Sequence, residues 1–431
     1  MNAAPLLLRN GHVIDTEPAP TVRLHTDVLV QHGRVVAVGP GLPTPAGVEI
    51  IDATDRIVLP GFIDTHRHAW QTAIRAVAVD ADLGEYLDLV LGRLGPRYRP
   101  QDLRVANLAS ALECLDGGIT TVQDFSLPQH SPQHTEAAVA ALREAGIRAV
   151  FGYACPELGE HHLGAERARQ VRADLLPTDD GLVTMALAVL GPSYAPIDLV
   201  EADWRLAREL GIRIASHVGS GPVAALPIAA LDERDLLGPD TLYVHGNSLP
   251  DQELKLIAES GGSVSVAPAV EGQMGHGAPV LGRLRGAGVT TGLGIDVVTT
   301  VAGDMFSTMR AALLTSRFGD GPQLTAADVL RMATLDGAAA LGLAEVTGSL
   351  RPGKQADIML LRTDTMNMLT AEHDLIGAVV ACAHPGNVET VLVGGRVLKR
   401  NGTLVHADLA RVVAEVRAAA VVITSGTATS S

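Results

Sequence analysis

The chain has 431 residues, a hydrophobic fraction of 47% and aromatic residues at only 3%, so its core must be built from Ala, Val, Leu and Ile. A net charge of −15 argues against nucleic acid or an anionic membrane surface as partner, because neither attracts an acidic protein. Length alone allows roughly two to three domains, or one large barrel with an appendage.

The opening residues, MNAAPLLLRNGHVID, carry no long apolar h-region and no cleavage site. No run of about 18 apolar residues follows, so the expectation is a cytoplasmic protein with no membrane partner. Cys114, Cys155 and Cys382 are widely spaced with no CxxC pairing, which argues against a disulfide framework or a thiolate zinc site. All three are expected to be buried free thiols.

Residues 1–59 contain the short segments LLLRNGHVID, DVLVQHGRVVAVG and VEIIDATDRIVLP, separated by Gly, Pro and Asp, the pattern of a β-meander. From Gly61 the rhythm changes. Eight strand candidates, FIDTH, ITTVQDF, IRAVFGY, VTMALAVL, IRIASHV, TLYVHG, GSVSVAP and TTGLGID, alternate with Ala/Leu/Arg/Glu-rich helical stretches such as residues 100–118. Nearly continuous apolar strands alternating with helices imply a parallel sheet covered on both faces. Eight such units across residues 60–345 predict a (β/α)8 TIM-like barrel, with catalytic groups at the C-terminal strand ends. Strand chemistry returns in residues 346–405, which with residues 1–59 are expected to form one small β-sandwich domain from both chain ends. Residues 406–431 read as a helix packed back on that domain, followed by a frayed tail.

Candidate chemistry gathers at the predicted strand ends. His66 and His68 lie one residue apart in PGFIDTHRH, so on a strand both imidazoles would project to one face. His217 in IASHVG, His245 in YVHGNS and Asp296 in GLGIDVV end later strands. By contrast, His130, His134, His161 and His162 sit in polar loops and are expected to be solvated, and Asp304 is expected to cap a helix.

These residues, with the closing GSLRPGKQADIMLL, resemble the amidohydrolase superfamily over essentially the whole chain, on the side of its cytosine-deaminase and chlorotriazine-hydrolase branch. The resemblance implies that His66, His68, His217 and Asp296 bind a divalent metal, that His245 contacts the attacking water or the substrate, and that the protein acts as a homo-oligomer on a small molecule. Three neutral imidazoles and a carboxylate suit zinc first, with iron or manganese as alternatives, and such an ion lowers the pKa of its bound water to about 7. Asp296 can take the proton from that water and pass it to a leaving nitrogen. Two-metal relatives bridge their ions with a carboxylated lysine or another carboxylate from the fourth strand. Here LVTMALAVLGPSY offers none, and the only lysines are Lys255, Lys354 and Lys399, so one ion per subunit is expected.

One position departs from the family pattern. Relatives in this branch carry a glutamate three residues after the fifth-strand histidine; this chain has Ser220, whose hydroxyl cannot deliver a proton at neutral pH as a carboxyl can. Either Glu271 or His276 in VEGQMGHG supplies the acid, or the reaction needs none. The second case favours hydrolysis of an amide-like or cyclic-amide C–N bond by hydroxide on the metal. Deamination of a purine, pyrimidine, pterin or triazine is the alternative, followed by a lyase or isomerase and last a non-enzymatic binding protein. Trp70, Gln71, Gln123, Tyr153 and Tyr194, with Ser220, are further candidates for touching substrate.

Overall fold

The computed structural model describes residues 5–154, 161–221 and 226–425, with the backbone alone for residues 161–163. Five strands precede the barrel: β1 (Leu6–Asp15), β2 (Thr21–Gln31), β3 (Arg34–Gly39), β4 (Glu49–Asp52) and β5 (Arg56–Pro60). The barrel strands are β6 (Phe62–Arg67), β7 (Ile119–Ser126), β8 (Arg148–Ala154), β9 (Val183–Val189), β10 (Arg213–Val218), β11 (Thr241–His245), β12 (Ser263–Val266) and β13 (Thr290–Leu293). Four more follow: β14 (Ile358–Arg362), β15 (Val388–Val393), β16 (Arg396–Arg400) and β17 (Thr403–Leu404).

Strands β6 to β13 pair in chain order, each neighbour parallel, as the alternation of strand and helix requires. Small apolar residues fill the interior because aromatic side chains are scarce. Ile63, Val150, Ala186 and Leu242 form the lower layer and are plugged from below by Ala338, Ala340 and Leu341. Phe125, Ala154, Ala188 and Ala215 form the layer above.

Closure occurs between β6 and the end of β13. Asp296 N–H donates to His66 O and His68 N–H donates to Asp296 O, each at 2.8 Å. Gly294 makes room for this approach: a Cβ there would lie 2.9 Å from both His66 O and Ser265 Oγ.

The remaining strands build one hydrogen-bonded sheet in the order β17-β16-β15-β14-β5-β1-β2-β3, with β4 added to β1. Its two halves, far apart in the chain, join where β14 runs antiparallel to β5, Ile358 opposite Pro60 and Leu360 opposite Val58. Leu6, Val28, Val58, Ile358 and Leu392 give this sheet a core of its own.

Two expectations change. The helix Leu409–Thr424 packs chiefly on the barrel helix Pro100–Asp116, where Val412, Ala419 and Ile423 are buried and Arg97 holds Ile423 O at 2.9 Å, and only its first turn, at Arg411 and Val412, comes beside Leu398 and Leu404 of the small sheet. Of the cysteines, Cys114 is buried but Cys382 is exposed; Cys155 and residues 426–431 lie outside the described residues. Among the described residues no helix is long and apolar enough to cross a membrane.

A buried ion pair ties sheet to barrel. Arg148, opening β8, donates to Asp357 at 2.7 Å, and Asp357 also accepts Gly394 N–H at 2.7 Å. Asp357→Ala leaves Arg148 buried without its partner, so it is expected to lower stability by about 3–5 kcal/mol in equilibrium urea unfolding.

Candidate active site

The C-terminal ends of β6, β10, β11 and β13 bring His66, His68, His217, His245 and Asp296 together. Donor atoms of His66, His68 and His217 all lie within 4.8 Å of one another, as do those of His66, His245 and Asp296. Two donors on opposite sides of an ion at about 2.1 Å each would be roughly 4.2 Å apart, so one divalent ion fits with slight side-chain adjustment. Asp296 Oδ1 stands 3.2 Å from His66 Nε2 and 3.5 Å from His68 Nε2, while Oδ2 faces His245 Nε2 at 3.7 Å. His68 and His217 lie parallel, 5.7 Å between ring centres.

Protonation suits a cation. Burial, with His66 beside it, drives the His68 pKa down to about 3, and the same two causes hold His217 well below its ordinary value. Burial would raise the Asp296 pKa, but contact with His66 and the positive potential of His245 and His68 hold it well below the carboxylate range. Both ring nitrogens of buried His66 lack a hydrogen-bond partner, an arrangement a bound ion would explain. His68 Nδ1 meets Phe125 O at 3.0 Å, and since a carbonyl only accepts, Nδ1 carries the proton and the Nε2 lone pair is free.

Asp296 and His245 both adopt left-handed backbone conformations, φ +67 and +77. Non-glycine residues rarely do so unless surrounding structure imposes it. At Asp296 the two hydrogen bonds to the β6 end impose it, reinforced by Asp64, which accepts Ile295 N–H at 3.0 Å. Arg67, between the two histidines, turns outward and is buried against Ser110 Oγ (2.8 Å), Glu113 Oε2 (2.6 Å) and Asp64. Asp124 accepts Ala69 N–H at 3.1 Å, so β7 braces the turn after His68.

Above the cluster opens a cavity of about 260 Å³, walled by Leu83, Tyr86, Leu87, Leu91, Phe125, Leu127, Leu190, Tyr194 and Met274. Ser220 and His276 also line it. Tyr194 Oη donates to Ser220 O and accepts Ser220 N–H, both at 3.0 Å, fixing that loop. The Leu83–Leu91 wall follows the capping box of Asp82 and Glu85, a signal visible in the sequence as D-x-x-E before an apolar run.

Four of the side chains expected near substrate are elsewhere. Trp70 is buried in the core, edge-on to Tyr98 at 5.1 Å. Gln71 stands behind the wall, donating to Tyr86 Oη at 2.5 Å and accepting from Thr299. Gln123 shares the inward face with Phe125 but lies one step deeper in the barrel, and Tyr153 has the opposite strand parity and lines a separate outer cavity with Thr135 and Gln170. Glu271 does not reach the substrate cavity either. Its Oε1 accepts from His245 Nδ1 (3.0 Å) and Ala267 N–H (2.8 Å), and its Oε2 from Asn247 (3.1 Å), so its carboxylate is taken up by three donors, His245 among them. Burial works against a charged His245, but the Glu271 hydrogen bond outweighs it and raises the pKa.

Of the loop residues, His134 is buried between Tyr98 O and Ser131 Oγ, because its helix faces the core. The side chains of His161 and His162 lie outside the described residues. Asp304 caps the helix Met305–Thr315 through Ser307 N–H at 2.9 Å. Lys354 pairs with Glu17, Lys399 with Asp116, and Lys255 faces Glu259, so no lysine reaches the cluster.

The amidohydrolase family model matches residues 57–398. The chain belongs to the amidohydrolase family. It is 29% identical, over 96% of its length and 98% of the relative's, to a 5-methylthioadenosine/S-adenosylhomocysteine deaminase of Symbiobacterium thermophilum. It is similar to the structure of an adenosine deaminase from Xanthomonas campestris with bound zinc, at TM-score 0.87 and 26% identity, covering 97% of this chain and 98% of that one. An atrazine chlorohydrolase from Arthrobacter aurescens complexed with zinc superposes at TM-score 0.87 and 26% identity, covering 96% and 100%. The chain is thus a hydrolase of carbon–nitrogen bonds that uses a divalent metal ion.

Replacing the carboxylate that three donors address tests the role of Glu271. Glu271→Ala is expected to cost about 1–3 kcal/mol in unfolding free energy. It should also free the His245 ring and lower its pKa, seen as loss of the imidazolium protonated on both Nδ1 and Nε2 in nitrogen NMR of the imidazoles.

Proposed function

We propose that the chain is an aminohydrolase that removes an amine from a small nitrogen heterocycle. One divalent ion, zinc in preference to iron or manganese, would be held by His66, His68, His217 and Asp296. The observation that carries this reading is the junction of that donor cluster with an apolar cavity of about 260 Å³, a volume suited to a small ring rather than a polymer. Curated relatives named as adenosine-type deaminases along nearly the whole chain support the same reading.

When bound, the ion supplies a Lewis acid that eases deprotonation of water. The protein supplies the rest. His245, its Nδ1 held by Glu271 at 3.0 Å, directs Nε2 at the developing oxyanion and donates a hydrogen bond there. Asp296, buried and anionic, accepts the water's proton and passes it to the leaving nitrogen. Leu87, Leu91 and Leu127 exclude bulk water and strengthen both interactions.

Ser220 on the cavity wall favours a second reading, hydrolysis of an amide or cyclic amide, in which Asp296 alone manages the proton. The products decide. Ammonia or a free amine with a hydroxylated ring is the aminohydrolase outcome, whereas an amine with a new carboxylate is the amidase outcome, both readable by mass spectrometry of a heterocycle and amide panel. His217→Ala is expected to lose bound metal by elemental analysis and activity together, while retaining native circular dichroism. Wild-type protein purified with no stoichiometric divalent metal would overturn the reading.

A further inference from the structure

His276 is the polar side chain that the chemistry above leaves unused. Only 3% of it is exposed, yet neither ring nitrogen has a hydrogen-bond partner, and it lines the cavity beside His245, with ring centres 4.7 Å apart. Ser220 repeats the pattern: it is buried, its Oγ has no partner, and it lines the same cavity. Most buried polar groups in native proteins are paired, and other unpaired ones here, such as those of Trp204 and Tyr243, lie in the core; these two differ in that both line one cavity next to the donor cluster, where a ligand can pair them.

The wall is built to hold them still. His276 N–H donates to Glu271 O at 2.9 Å, and His276 O accepts Gly221 N–H at 3.0 Å, so the seventh-strand and fifth-strand loops are stitched together beside Ser220. Gly275 and Gly277 flank His276 at φ +70 and +140, conformations that side chains rarely allow, and a Cβ on Gly277 would press Asn247 Cβ at 3.1 Å. Met274 O accepts Leu83 N–H at 3.2 Å, tying the same loop to the apolar wall.

We propose that His276 and Ser220 form the recognition edge for the substrate: a nitrogen heterocycle whose adjacent ring nitrogen and N–H face these two side chains, with an apolar substituent lying along Leu83, Leu87, Leu91 and Leu127. The proposal rests on reading this cavity as the substrate site. A neutral imidazole offers one donor and one acceptor, as does a serine hydroxyl, which matches an amidine-like ring edge. Burial, with His245 nearby, lowers the His276 pKa to about 4, in keeping with the neutral form. The leucines have no polar atom to offer a hydroxylated substituent, so an alkyl or aryl arm is the better occupant.

The test uses the metal-loaded enzyme and isothermal titration with three probes: a dialkylated diaminotriazine, the unalkylated diaminotriazine, and a dialkylated diaminobenzene that keeps the arms but has no ring nitrogens. Wild type should bind the first at least about tenfold more tightly than either of the others. His276→Ala should erase the preference for triazine over benzene with metal content unchanged, and His276→Asn, which keeps a donor and an acceptor, should restore part of it. Ser220→Ala should weaken the same preference. Equal triazine affinity in wild type and His276→Ala overturns the proposal, as does a wild type that binds none of the probes while retaining metal and hydrolysing another C–N substrate. Loss of metal binding or of hydrolysis in wild type overturns the functional reading instead, so the two failures are distinct.

Discussion

The barrel closes through two backbone hydrogen bonds, Asp296 N–H to His66 O and His68 N–H to Asp296 O, and the same bonds assemble the donor cluster. A parallel barrel must join its first and last strands, and here the join falls at the catalytic rim instead of along the length of the strands. Asp296 pays for that position with a left-handed backbone, a cost of about 1–3 kcal/mol that the paired strand end and Asp64 hold in place. Closure of the fold and placement of the carboxylate are one event.

From this seam the organisation spreads outward. Arg67 cannot face inward between two inward histidines, so its guanidinium is buried outside the barrel, where Ser110, Glu113, Gly303 O and Asp64 satisfy it. The helix Pro100–Asp116, which contributes no group to the cavity, thereby helps fix the turn that carries His66 and His68. Asp124 does the same from β7. On the inner side, Glu271, Asn247 and the backbone of Ala267 hold His245 in a network whose members are all buried. A rigid outer shell matters because displacement of a catalytic group by about 1 Å can cost a hundredfold in rate.

The cavity shows a division between machinery and selection. The donor cluster is polar and enclosed, with Asp296 anionic; the wall above it is apolar apart from Ser220, His276 and the two tyrosines. Tyr86 is tied to Gln71, and Tyr194 is tied to the Ser220 backbone although it is 39% exposed. Both tyrosines therefore act as struts for the wall. The cavity wall comes from the loops after the first, second, fourth, fifth and seventh barrel strands, the segments most free to vary without disturbing closure.

Much of this was legible from residues alone. Alternation of apolar strands with helices defined the barrel, and the HxH pair with strand-terminal His217, His245 and Asp296 marked its rim, because each of those signals is local to one short segment. The Asp296 loop likewise disclosed Asp304 as a cap. What could not be read was direction. Tyr153 ends the right strand but on the outer face, Gln123 faces inward one layer too deep, and Trp70 belongs to the core, since a single step in register reverses a side chain. Glu271 looked like a free acid until β11 and the loop after β12 brought His245 and Asn247 onto its carboxylate. Sequence by itself determined which chemistry the chain carries and at which strand ends. Only the tertiary structure decided which groups share a cavity and which are spent on one another, because bonds such as Asp64 to Ile295, 231 residues apart, form only when the barrel closes.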